Sequence, residues 1–455
     1  MSRQLWERPV ADQPLVLSHE HQLQLDRLAT TEIPQFAIEP LWKPEVTQAT
    51  QEERIREVLA LAAQVPLYAS LFRKAKVRPQ DFKTLSDIRR FPIVTKQDLI
   101  NAYRENCVHP SYLGRKTYPT WSSGSSGLTL QIEFDPQAVI VDTMQGVVQL
   151  LLQGDGKIGP NDITANYYTC PWWTDNIGGQ WRSAFVSSLV SPGEAAKFFR
   201  HVRPSVLAGY PSLLQRLADT LEPRELPLRL VVTNSEQSSR LERDQLAAHF
   251  GCPVLDEYSS EELTRIAVEL PDGKYYLNES AVFLEVLDPE TREPVADGDW
   301  GEAVATSLLN KAMPFIRYAT GDIVKRPKDL SSRWKDIGWG QLGAIGGRMF
   351  DSFLRPDGKL VPSGVMLDVI YRAFGDIGVC VDQFELVQVC QTKAQLNVRP
   401  ARGATNATVD AFAERVRELL AFVLEASVTL SVGSYTAAVK SGKSKRRPVR
   451  RSFDC

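Results

Sequence analysis

The chain has 455 residues, 43% hydrophobic and 24% charged, enough for two or three domains around ordinary globular cores. A formal net charge of −2 gives no reason to expect nucleic acid or an anionic membrane as partner. No run of about 18 apolar residues occurs and the start, Met-Ser-Arg-Gln-Leu-Trp, lacks a signal peptide's apolar core, so no membrane span and a cytoplasmic setting are expected.

In chain order, residues 1–48 are Pro-rich and polar, with weak periodicity. Thr50-x-x-Glu53 is a capping box, and Ile55, Val58, Leu59 and Ala62 give its helix an apolar face until Pro66. Phe91-Pro-Ile-Val94 predicts a short buried strand or turn, and Thr95-x-x-Asp98 a second capped helix. Residues 120–127 read Thr-Trp-Ser-Ser-Gly-Ser-Ser-Gly, with nothing larger than a hydroxymethyl group between Trp121 and Leu128. Such a loop is either a flexible linker or a cradle whose small donors approach phosphate oxygens closely. It is not a Walker A loop, since no Gly-Lys-Ser/Thr follows and a strand is expected beyond it at 130–134.

Residues 136–153 form an apolar helical run. Strands are expected at 204–211, 229–233 and 253–255, with helices capped by Ser212 and covering 241–250. Asp272-Gly273 and Asp357-Gly358 are hairpin turns. Strands near 381–397, a helix over 409–424 and a strand at 428–432 make a small α+β unit, with Gly346-Gly347 as a flexible joint before it. Residues 440–451 hold seven basic residues, by composition a solvated tail. The expected fold is α/β: a large N-terminal domain with mixed and parallel sheets (1–346), hinged to a small α+β domain (347–455) with the basic tail.

The six cysteines are scattered without a C-x-x-C pair, and the five histidines form no metal-binding pattern. No disulfide framework and no metal held by protein ligands alone are expected.

Four segments follow the Ser/Gly loop in order: Tyr258-Ser-Ser-Glu-Glu262, Arg317-Tyr-Ala-Thr-Gly-Asp322, Gly347-Arg-Met-Phe-Asp351 and Ser441-Gly-Lys443. Together they resemble the adenylate-forming superfamily of acyl-CoA synthetases, and the phenylacetate–CoA ligase branch in particular. Val65-Pro-Leu-Tyr68, Phe91-Pro-Ile-Val-Thr-Lys96, Ala208-Gly-Tyr-Pro-Ser212 and Gly301-Glu302 share the likeness.

The resemblance implies a role for each matching residue. Ser122, Ser123, Gly124, Ser125, Ser126 and Gly127 would hold the β- and γ-phosphates of ATP. Asp322 would accept the ribose hydroxyls, and Tyr258 would stack on adenine. Ser235, Glu236, Asp256, Glu257, Ser259 and Ser260 would line the nucleotide. Glu262, or Glu261 if the register slips by one, would hold Mg²⁺. Arg348 would stand at the domain joint, and Lys443 would reach the α-phosphate and the carboxylate. The acid would lie among Tyr168, Trp172, Trp173, Gly209, Tyr210, Pro211 and Asn234, with Tyr167 beside them; the paired tryptophans suit a flat aromatic acid or belong to the core.

The chain departs from that pattern in four places. Leu128 replaces a lysine, Ser259 a glycine and Phe350 a hinge aspartate, while Glu261 stands where a hydroxyl normally touches phosphate. The reading is ATP-dependent activation of a carboxylic acid, expected to be aromatic, as its acyl-adenylate, then acyl transfer to coenzyme A. The alternatives are transfer to an amine or carrier protein, a catalytically altered nucleotide-binding homologue, and nucleic-acid binding through the tail. A homodimer is allowed.

Overall fold

Short runs of β-branched and apolar residues, each too short to bury itself, lie side by side in the largest sheet. The computed structural model describes residues 19–31, 39–122, 129–169, 177–328, 337–435 and 447–453. Five strands run parallel in the order Arg182–Ser187, Ile163–Tyr168, Val206–Gly209, Leu230–Asn234 and Val254–Ser260. Val206–Gly209 and Leu230–Asn234 are buried at every position, as parallel strands covered on both faces must be. Antiparallel Thr264–Glu269, Tyr275–Leu277 and Gln341–Leu342 extend the sheet to eight. The expected Asp272-Gly273 turn joins two of them, with Gly273 at φ +76°.

Helices Pro192–Val202, Pro211–Ala218 and Arg240–Phe250 cover one face of this sheet through Phe199, Leu214, Leu217 and Phe250. Helix Pro136–Gly154 covers the other and packs on Thr264–Glu269. A second sheet combines Val94–Thr95, Tyr318–Lys325, Trp300–Ser307 and Val282–Leu287, with Ala344–Arg348 also paired to Tyr318–Lys325. A separate core gathers around Phe353, Ile370, Phe374, Leu396 and Phe412. There helices Ser363–Ile377 and Asn406–Leu424 pack on the four-stranded sheet Thr429–Ser434, Lys393–Pro400, Val381–Cys390 and Val449–Arg451, with Phe374 and Phe412 stacked at 4.8 Å.

The fold class is as expected, and several boundaries move for physical reasons. The first long helix begins at Pro44, in the position where a missing N–H costs nothing, and the Thr50 hydroxyl donates to the Val46 carbonyl inside it. Pro66 starts a further helix, Pro66–Ala75, rather than ending one. Pro211, not Ser212, opens its helix, with Tyr210 as the flanking residue. The Thr95 box forms as read: its hydroxyl accepts from the Asp98 N–H, and Asp98 accepts from the Thr95 N–H at 2.8 Å. Gly346-Gly347 is no loose joint, because both lie in the strand Ala344–Arg348. A Cβ on Gly347, at φ +89°, would meet Gln237 and Ser363 at 2.5 Å.

The end of the basic tail is not solvated. Val449–Arg451 joins the sheet beside Val381–Cys390, Val449 is buried, and Arg450 pairs with Glu385 at 2.8 Å. Among the described residues no single helix is long and apolar enough to cross a membrane, and the cysteines Cys107, Cys252, Cys380 and Cys390 are free thiols.

Candidate functional site

The two sheets meet where Val254–Ser260 and Tyr318–Lys325 approach each other, and the motif residues of both strands converge there. The Tyr258 hydroxyl donates to Asp322 Oδ2 at 2.8 Å. On the other carboxylate oxygen, Arg348 Nε lies 3.0 Å from Asp322 Oδ1, and its Nη1 donates to the Thr320 carbonyl at 3.0 Å. Burial, with the Asp322 carboxylate second, holds the Tyr258 hydroxyl well above its ordinary range, so it stays a donor. The Asp322 side chain therefore sits oriented between a donor and a cation, with Arg348 partly exposed above it.

Beside this trio, Glu262 is buried and its Oε1 accepts from the Tyr318 hydroxyl at 3.0 Å. Lys96, the first residue of the Thr95-capped helix Lys96–Ala102, places Nζ 3.8 Å from the same oxygen. Burial lowers the Lys96 ammonium below its usual range, Glu262 opposes that, and Arg348 adds to it. Two cations, Lys96 and Arg348, thus flank two buried carboxylates. Lys96 had no role in the sequence reading. The signal was present in Phe91-Pro-Ile-Val-Thr-Lys96, a stretch already matched to the ligase branch.

Glu261 is exposed and accepts from the Thr120 hydroxyl at 2.7 Å, which ties the strand end to the hairpin Tyr118–Trp121/Gln131–Phe134. That hairpin carries the Ser/Gly loop between its strands. Ser122 closes the loop's base: its hydroxyl accepts from the Leu130 N–H at 2.8 Å and its N–H donates to the Leu130 carbonyl. Ser123, Gly124, Ser125, Ser126, Gly127 and Leu128 lie outside the described residues, as do Trp172, Trp173 and Lys443.

The remaining candidates divide. Asn234 ends its strand with a buried side-chain Oδ1 that has no hydrogen-bond partner. Ser235 follows at φ +66°, a conformation that costs a non-glycine residue energy and marks a constrained turn. Glu236 accepts from the Ser212 N–H at 3.2 Å. Tyr168 and Tyr210 stand edge to face at 5.1 Å, next to Gly209 and Pro211. Ser260 turns its hydroxyl to the Leu263 N–H, and Ser259 beside it is half-buried. Asp256 stands apart: Thr233 and Tyr275 donate to it at 2.6 and 2.8 Å, and burial pushes its carboxyl up to about 6. Glu257 faces a cavity under helix Pro136–Gly154.

Phe350 brings no charge to this segment, but Asp351 beside it does. Arg447 pairs with Asp351 and lays its guanidinium 4.8 Å from the Phe350 ring centre. No three or more His, Cys, Asp or Glu side chains converge at metal-ligand spacing among the described residues. Glu262, with Glu261 next to it, nevertheless suits Mg²⁺, which takes one or two carboxylates and completes its shell with phosphate oxygens and water.

No family model matches the chain. The chain is 28% identical over 298 residues to the phenylacetate-coenzyme A ligase of Escherichia coli (strain K12), covering 61% of this chain and 67% of that one. It is 27% identical over 340 residues to the phenylacetate-coenzyme A ligase of Pseudomonas putida, covering 70% and 74%. Among solved structures, 2-hydroxyisobutyryl-CoA ligase in the postadenylation state aligns over 92% of this chain and 91% of that one, at a TM-score of 0.75 and 17% identity. ATP-bound MatB from Rhodopseudomonas palustris aligns over 73% and 65%, at 0.51 and 16% identity. At those identities the structures speak for the fold, while the ligase relatives carry the sequence likeness. With the motifs in order and the fold shared, the chain is phenylacetate–CoA ligase-like, and its relatives and fold support the adenylate-forming superfamily.

Proposed function

We propose that the protein activates a carboxylic acid of the aromatic class with ATP as its acyl-adenylate and passes the acyl group to coenzyme A. The observation that carries this reading is the Asp322 carboxylate, held between the Tyr258 hydroxyl and the Arg348 guanidinium, beside buried Glu262. A carboxylate accepts two vicinal ribose hydroxyls, which leaves the phosphates over Glu262, Lys96 and the Ser/Gly loop. The relatives named phenylacetate-coenzyme A ligase support the acid class and the acceptor.

In the first step an oxygen of the acid attacks the α-phosphorus, the bond to the bridging oxygen breaks, and pyrophosphate leaves with that electron pair. In the second a thiolate attacks the acyl carbon and AMP departs. Lys96, Arg348 and Lys443 supply positive charge where it accumulates on the phosphoryl group. Lys96 takes the place of the lysine lost at Leu128. Glu262 would hold Mg²⁺, which would supply neutralisation of phosphate charge. The clamp of Arg447 on Phe350 and Asp351 sets where the segment bearing Lys443 returns to the fold, and we place the joint between the two units after Arg348. Free thiols suit a reducing cytoplasm.

The test is the mass of the product formed from phenylacetate and related aryl acids with ATP and Mg²⁺, with and without coenzyme A. The acyl-adenylate alone and the acyl-CoA thioester in its presence are expected. Adenylate unchanged by coenzyme A would reject the acceptor, and no adenylate from any acid would reject the function.

A further inference from the structure

On the face of the large sheet that meets helix Pro136–Gly154, a cavity of about 50 Å³ lies between helix and strands. A single water needs about 10–15 Å³, so this space takes the end of a ligand rather than a whole one. Leu150 and Val232 give it apolar walls. Glu257 also lines it, 4% exposed, and Glu257 Oε2 has no hydrogen-bond partner.

The nearby cation, Arg265, forms only a long ion pair with that carboxylate and gives it no hydrogen bond. Arg265 Nε is 4.0 Å away and donates instead to Gln149 Oε1 at 3.1 Å. Arg265 Nη1 donates to Asp142 Oδ1 at 2.5 Å and to the Asp142 carbonyl at 3.0 Å. This seat is possible because residue 146 is glycine, where a Cβ would stand 2.8 Å from Arg265 Nη2. Asn166, also in the wall, directs its amide to Ser183 at 2.7 Å. Two buried carboxylates and one guanidinium leave a formal charge of −1. A buried carboxylate is costly without a donor or cation of its own. Glu257 stands opposite Asn234 in register and one residue before Tyr258, at the carboxyl ends of the parallel strands, where open α/β sheets take their ligands.

We propose that the acid activated here bears a protonated amine at the end remote from its carboxylate, and that Glu257 receives this ammonium group inside the cavity. This rests on the adenylation reading and names the substrate class for it. Leu150 and Val232 pack the methylenes next to the nitrogen, and Arg265, hydrogen-bonded to Asp142 and 4.0 Å from Glu257, leaves the hydrogen-bonding positions of Glu257 Oε2 to the ligand.

ATP–pyrophosphate exchange with two isosteric pairs tests it: 4-(aminomethyl)phenylacetate against 4-ethylphenylacetate, and 6-aminohexanoate against heptanoate. The amine is expected to win by at least tenfold in kcat/KM in at least one pair. Glu257→Leu is expected to reverse that preference, and Glu257→Gln, which keeps the shape, to weaken it. A thermal-shift series with the same acids reads binding independently of turnover: the amine-bearing acid stabilises the wild type and not Glu257→Leu. A wild type that prefers the alkyl isostere in both pairs, or a Glu257→Leu variant with an unchanged ratio, overturns the proposal and leaves adenylation standing. No exchange with any of the four, or with phenylacetate, overturns the adenylation reading beneath it.

Discussion

Replacing Lys96 by alanine removes one of the two cations described beside Glu262 and Asp322. Its ammonium lies 3.8 Å from Glu262 Oε1 and is largely buried. A unit charge about 5 Å from a phosphoryl oxygen, at an effective dielectric constant of about 20, contributes roughly 3 kcal/mol. Glu262 draws on the same charge, so about 2 kcal/mol of transition-state stabilisation remains for Lys96, or roughly 30-fold in rate. Folding loses much less, since Tyr318 still donates to Glu262 at 3.0 Å and a partly exposed pair is worth about 1 kcal/mol or less. The assay is ATP–pyrophosphate exchange at saturating acid and ATP, with thermal melting as control. Exchange within threefold of wild type would refute the reasoning. So would an equal loss of exchange and of folded protein, because Lys96 would then act only on stability.

Asp322→Asn is expected to raise the KM for ATP by about 30-fold, from loss of a charged acceptor worth about 2 kcal/mol, and to abolish discrimination between ATP and 2′-deoxy-ATP. A variant that still rejects the deoxynucleotide would contradict the ribose assignment. Glu279 is held by burial at about 7, above its ordinary 4.5, with only the Gly340 N–H opposing. The native state then binds more protons between these values, so stability falls as pH rises through that window and the penalty is complete above 7. Glu279→Gln is expected to stabilise the fold by about 1–3 kcal/mol at pH 8 and by little at pH 4; equal melting shifts at both pH values would reject this. Arg447→Ala leaves the buried Asp351 carboxylate without its bidentate partner and is expected to cost about 1–3 kcal/mol in chemical denaturation. An unchanged midpoint would show that the clamp holds nothing.

What could be read from the residues alone was whatever announces itself locally. Thr95 and Asp98 cap a helix wherever it packs, and the Tyr258, Asp322 and Arg348 segments stood out as motifs before any contact was known. The helix from Pro44 did not, because Lys43 supplies no side-chain cap and the signal at Thr50 lies inside a helix already begun. Ile163–Tyr168 and Arg182–Ser187 escaped notice because Thr164, Asn166 and Ser183 interrupt their apolar pattern, and those residues line the Glu257 cavity. Gly346 and Gly347 looked like a joint, whereas close packing by Pro362, Gln237 and Ser363 demands glycine there. Lys96 and Tyr318 meet Glu262 only through pairing distant in sequence, which periodicity does not reveal. Arg447 reads as one charge in a basic run until Phe350 and Asp351 are seen against it.

The most direct test of the account is acid-dependent ATP–pyrophosphate exchange by the intact chain, measured with a panel of aryl and amine-bearing acids beside its Asp322→Ala variant. Exchange that requires both acid and Mg²⁺, and that falls at least 30-fold in the variant while the variant stays folded, is the predicted result. Exchange absent with every acid, or unaffected by loss of Asp322, would contradict it.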